Sequence, residues 1–200
     1  MTDPNYAHVI LIVDRSGSMA DIRADAEGGV NTFLREQAAL PGRMTVTVVQ
    51  FDHEVETVVS MVPVADVPPY QMRPRGWTAL YDAVGYAITD TGERLAALPE
   101  DQRPGKVLVA IVTDGKENKS QDWTLERVRA AIAHQRDAYG WVFSFQGAED
   151  SAWQGREMGV GNVQSFANTG VGTASAYSSL SYGTQVLRGG GGFTYGPDPQ

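Results

Sequence analysis

Hydrophobic and polar positions along this chain follow two periods, and the switches between them mark the elements. An unbroken apolar run, His8–Asp14, reads as a strand buried on both faces. Ile22, Ala26, Val30, Phe33, Leu34 and Ala38 then recur at helical spacing until "LPG" at 40–42 stops the helix. Gly28 and Gly29 weaken that helix and suggest a close neighbour to its backbone. "MTVTVVQFD" and "VETVVSMVPV", separated by a turn near His53 and Glu54, predict a β-hairpin. Beyond the proline-broken "VPPYQMRPRGW", Leu80, Val84, Ala87, Ile88, Thr91, Leu95 and Leu98 mark an amphipathic helix. "KVLVAIVTD" is a second fully apolar strand; Leu125, Val128, Ile132 and Gln135 resume the helical period, and "WVFSFQ" is a third buried strand. A helix-like stretch over 149–158, a weaker strand at 163–166 and a helix over 173–187 complete the series.

Strands that alternate with helices predict a Rossmann-like, doubly wound α/β fold: a mostly parallel sheet of about six strands, one antiparallel edge strand, and helices on both faces. The pattern contains no internal repeat and predicts one domain over residues 1–187. Residues 188–200, "RGGGGFTYGPDPQ" from Arg188 on, are rich in glycine and proline and predict a disordered tail. Ligands of such sheets bind beyond the carboxyl ends of the strands, where Asp14 and Asp114 both fall.

Composition narrows the function classes. A formal net charge of −8 argues against nucleic-acid binding, which needs a basic surface. The absence of cysteine excludes disulfides, thiolate metal sites and a cysteine nucleophile. The start "MTDPNYAHVI" lacks the basic and apolar regions of a signal peptide, and no apolar run approaches a membrane span, so a cytoplasmic location is expected.

Three stretches carry the candidate chemistry: "DRSGS" after the first strand, "GWTAL" at the start of the second helix, and "TDGKEN" after the second core strand. They offer short oxygen-bearing side chains at Asp14, Ser16, Ser18, Thr78 and Asp114, the donor type that a hard dication takes. Spacing Asp14, Ser16 and Ser18 one residue apart lets a tight loop, loosened by Gly17, aim three oxygens at one point, with Arg15 turned away.

At these residues the sequence resembles the von Willebrand factor A domain family, in its stand-alone bacterial or bacteriophage form. That family's metal-ion-dependent adhesion site (MIDAS) follows the pattern Asp-x-Ser-x-Ser, then a threonine, then an aspartate in a Thr-Asp-Gly loop. All five positions match, in order, and the resemblance spans roughly residues 7–187. It implies a non-enzymatic binding module whose metal, Mg²⁺ or Mn²⁺ with Ca²⁺ a poorer fit, is held by Asp14, Ser16, Ser18, Thr78 and Asp114. It also implies a protein partner that supplies an Asp or Glu to the metal, and an affinity switch carried by movement of the last helix. Trp77 stands where many relatives carry glycine, at the rim.

Plainer readings stand beside this one. Asp14 and Asp114 are also good helix N-caps, as is Asp122 before "WTLERV". Glu117, Asn118 and Ser120 read as loop-shaping residues, "DHE" at the hairpin tip as a solvated polar turn, and His8 and His134 as structural. Nucleotide binding lacks a Walker lysine, and "RSGSM" is not a serine-hydrolase elbow. A Mg²⁺-dependent phosphotransferase of haloacid dehalogenase-like layout would use Asp14 as nucleophile, but it needs an acid where Ser16 stands. A structural or virion protein that uses metal for stability alone is the third alternative.

Overall fold

The computed structural model describes residues 1–196; positions 197–200 of the expected tail lie outside the described residues. Six strands form one sheet: β1 (Asp3–Asp14), β2 (Arg43–Phe51), β3 (Val55–Pro63), β4 (Pro104–Thr113), β5 (Val142–Ala148) and β6 (Asn162–Phe166). Five helices surround it: α1 (Arg23–Ala38), α2 (Leu80–Ala97), α3 (Leu125–Tyr139), α4 (Trp153–Glu157) and α5 (Gly170–Arg188). Strand order is β3-β2-β1-β4-β5-β6, and only β3 runs antiparallel. This is the Rossmann-like α/β architecture that the hydrophobic pattern predicts.

The two faces of the sheet divide the core. Val9, Leu11 and Val13 of β1 join Leu108, Ala110 and Val112 of β4 beneath α1 and α5. Ile10 and Ile12 join Val107, Val109 and Ile111 beneath α2 and α3. Alternate side chains of one strand therefore enter opposite cores, which is why β1 and β4 read as unbroken apolar runs. The expected neighbour of the α1 backbone is real at one of the two glycines. A Cβ on Gly29 would fall 2.2 Å from the Tyr177 ring of α5, whereas Gly28 is open.

Several elements differ from the sequence reading. The first strand begins at Asp3 rather than His8, because the Asp3 amide bonds the Arg103 carbonyl beside β4. Helix α5 begins at Gly170 rather than residue 173, because the Thr169 hydroxyl caps it by accepting from the Gly172 amide. Asp122 is not a cap: the Thr124 hydroxyl accepts from the Arg127 amide at the start of α3. Within the tail expected to be disordered, residues 193–196 pack against α5: a Cβ on Gly183 would meet Thr194 and Phe193, and the Gly196 amide bonds the Ser179 carbonyl. Phe193 packs against the α1/α5 core, and the Tyr195 hydroxyl meets Ser144, the Phe145 carbonyl and the Asn162 carbonyl. Two aromatic side chains overcome the conformational freedom of the glycines. No helix among the described residues is long and apolar enough to cross a membrane.

Candidate metal centre

β1 and β4 are adjacent, but the chain leaves them in opposite directions: β2 follows to one side and β5 to the other. That reversal opens a crevice at their carboxyl ends, the switch point where open α/β sheets bind ligands. Parallel register opposes Val13 to Val112, so the next residues, Asp14 and Thr113, meet across the crevice. The Thr113 hydroxyl donates to Asp14 Oδ2 at 2.5 Å.

From Asp14 the chain turns through a short 3-10 segment, Gly17–Ala20, which Met19 anchors in the core. The Ser16 amide donates to Asp14 Oδ1 at 2.6 Å, Ser16 Oγ and Ser18 Oγ stand 3.2 Å apart, and Ser18 Oγ donates to Asp114 Oδ1 at 2.6 Å. Gly17 does not adopt the left-handed backbone that a loosened turn suggests. Instead its amide bonds the Gly76 carbonyl at 3.2 Å, and a Cβ would sit 3.3 Å from that oxygen.

Thr78 enters from the segment before α2. Asn118 holds it from both sides: the Asn118 side-chain oxygen accepts from the Thr78 amide, and the Asn118 amide donates to the Thr78 carbonyl. A Cβ on Gly115 would fall 2.8 Å from Thr78 Oγ1 and 3.1 Å from Asp14 Oδ2, so the three loops close over a position that only glycine fits. Glu117 accepts from the amides of Tyr81, Lys119 and Ser120, which bears out its reading as a loop-shaping residue. All five expected oxygen donors are thus brought to one rim. Asp14, Ser16, Thr78 and Asp114 are buried, and Ser18 opens to solvent.

Burial pushes the Asp14 carboxyl up to about 6, against the hydrogen bonds from Thr113 and Ser16, and the neighbouring Asp114 charge adds to the rise. Burial also raises Asp114, against hydrogen bonds from Ser18 and Asn168. Among the described residues no cationic side chain pairs with either acid. Lys116 pairs with Asp150, and Arg15 turns away, as expected, to Asp52 and Glu56. Two buried carboxylates without a counter-ion and three nearby hydroxyls are a donor set that a hard dication fits. Ser18 gives its proton to Asp114 and so keeps its lone pairs for a cation.

The hairpin tip is the solvated turn expected at His53 and Glu54 but not at Asp52. Asp52 is fully buried and accepts from Arg15 and Arg75. Burial raises its carboxyl, but the Glu54 amide and the two guanidiniums outweigh that and hold it below the usual carboxylate range. Asp52, His53 and Glu54 do bring possible ligand atoms within 4.8 Å of one another. The Arg75 guanidinium already lies on both carboxylates, so this cluster has its cation.

No family model and no curated protein matches the sequence. Solved structures do match. A von Willebrand factor type A protein from Catenulispora acidiphila superposes with a TM-score of 0.58 at 16% identity, over 89% of this chain and 42% of that one. The chain has the von Willebrand factor A fold. Proximal thread matrix protein 1 of the mussel byssus, with zinc in its MIDAS motif, gives a TM-score of 0.55 at 17% identity, over 91% of this chain and 47% of that one. The present chain spans less than half the length of either. In this von Willebrand factor A fold, motif reading found the five rim donors and missed the residues that orient them: Thr113, Asn168 and Gln154. Gln154 bonds the Gly115 carbonyl and the Glu117 amide, and Asn168 Nδ2 lies 3.4 Å from Asp114 Oδ2. Thr113 stood in the Thr-Asp-Gly stretch itself, but its contact with Asp14 exists only once β4 abuts β1.

Proposed function

We propose that this chain is a divalent-cation-dependent protein-binding module. Asp14, Ser16, Ser18, Thr78 and Asp114 hold the ion, and an acidic side chain of a partner protein completes its coordination. The observation that carries this reading is the convergence of these five donors on the β1/β4 crevice with, among the described residues, no side-chain cation paired to either aspartate. When bound, the cation supplies an electrophilic centre that accepts a carboxylate. The chain's own residues set its strength: three neutral hydroxyls leave the ion's charge less compensated than carboxylates would, and Thr113 and Asn118 fix Asp14 and Thr78 in place. An all-oxygen set favours Mg²⁺ or Mn²⁺ over zinc, which prefers nitrogen and sulfur.

A phosphotransferase built on Asp14 has less support. Its second acid is replaced by Ser16, and no lysine among the described residues pairs with Asp14.

The test is thermal unfolding with Mg²⁺ against chelator. Mg²⁺ at about a hundred times its Kd should stabilise the protein by about 2.7 kcal/mol. Asp14→Ala should abolish that gain, and an unchanged Mg²⁺ response in the variant would remove Asp14 from the site.

A further inference from the structure

The rim around the crevice carries exposed apolar side chains that neither the core nor the cation site uses. Trp77 is 64% exposed, Trp153 43% and Val171 83%. They sit on three separate segments, and each segment is tied to the site by a hydrogen bond. Gly76, beside Trp77, accepts from Gly17 in the serine turn. Gln154, beside Trp153, donates to the Gly115 carbonyl. Asn168, three residues before Val171, donates to Asp114. The segment before Trp77 is also rigid: Gly76 has a φ of 68°, and a Cβ there would fall 2.1 Å from His53 Nδ1. Tryptophans held in water on pinned loops around one crevice offer apolar surface that a partner can cover, and tryptophan is concentrated at binding hot spots.

Charge narrows what covers it. Asp21, Asp25, Glu149 and Asp150 are exposed near the same strand ends, and of these only Asp150 is neutralised, by Lys116. Arg73 and Lys119 are exposed on the Trp77 side, so it is along the Trp153 and Val171 sides that a ligand with further acids would be repelled, whereas one carboxylate directed at the centre would not.

We propose that Trp77, Trp153 and Val171 form an apolar collar, and that the partner segment it fits carries a single Asp or Glu flanked by aromatic or aliphatic residues, with neutral or basic residues beyond. The collar selects the flanks and the cation site takes the acid; the inference therefore rests on the proposed function above.

Defined peptides separate the two. The probes are Ac-Lys-Phe-Asp-Phe-Lys-amide, Ac-Lys-Gly-Asp-Gly-Lys-amide and Ac-Glu-Phe-Asp-Phe-Glu-amide, titrated in Mg²⁺ and in chelator while the tryptophan emission is followed. In Mg²⁺ the first should bind at least about tenfold more tightly than either other peptide and shift the emission to the blue. Trp77→Ala with Trp153→Ala should erase the preference over the glycine peptide, while Mg²⁺ still raises the Tm of the double variant. Equal affinity for the phenylalanine and glycine peptides, a preference that survives the double variant, or no peptide binding in Mg²⁺ would overturn the collar. A Mg²⁺-dependent dimer that buries the same tryptophans would replace the foreign partner with a second copy and also overturn it. Loss of the Mg²⁺ response in the unaltered protein would instead overturn the cation site itself.

Discussion

Asp14 and His8 are buried on the same strand and titrate in overlapping ranges with opposite consequences. Burial raises the Asp14 carboxyl from 3.8 to about 6, so its charge costs stability as pH rises through that window, by about 3 kcal/mol when complete. Asp114 acts in the same direction. His8, whose ring nitrogens meet the Thr45 and Thr47 hydroxyls, is lowered by burial from 6.5 to about 4. Its neutral form stabilises the fold above 6.5, and that contribution, also about 3 kcal/mol, is lost as pH falls towards 4. In chelator the two acids oppose His8, so the climb in urea midpoint that His8 alone would give between about pH 4 and 6.5 should be suppressed. Asp14→Asn leaves His8 to act with less opposition, so its midpoint should climb with pH across that range. Mg²⁺ should produce the same climb in the unaltered protein, because a cation favours the charged carboxylates. A flat profile in all three samples would contradict this pairing.

At the scale of elements, the close approach of α1 and α5 depends on Gly29. Gly29→Ala gains helix propensity of about 1 kcal/mol but drives a methyl into the Tyr177 ring, and overpacking of this kind costs about 1–3 kcal/mol. A net loss in the urea midpoint is expected, whereas Gly28→Ala, which meets nothing within 4 Å, should stabilise. The elements themselves were legible because burial imposes a period on sequence: unbroken apolar runs for β1 and β4, 3.6-residue spacing for α1 and α2. The pairing of β1 with β4 was not legible, since strand order follows from how helices cover the sheet. Thr113 was missed for that reason; its contact with Asp14 exists only once the two strands are in register. The five rim donors were legible only as a set: each alone reads as a cap or a loop residue, and their order along the chain carries the resemblance. Arg15 and Arg75 on Asp52 were not legible, because the ion pairs join residues brought together only by the parallel β1/β2 pairing and the return of the loop before α2.

Across the whole molecule, the glycine-rich tail gains its contacts from aromatic side chains, and Tyr195 reaches over β5 and β6 with three polar partners. Tyr195→Phe should lower stability by about 1 kcal/mol in chemical denaturation and leave the Mg²⁺ response intact, since this contact lies away from the crevice. The crevice depends on far more of the chain. Ser18 and Asp114 are 96 residues apart in sequence, and Asn168 approaches from beyond both. A ribosome exposes those positions one after another, so a nascent polypeptide that still lacks β4 owns Ser18 but not its acid. The oxygen rim is thereby assembled only once β4 has been made, and unfinished translation products lack it.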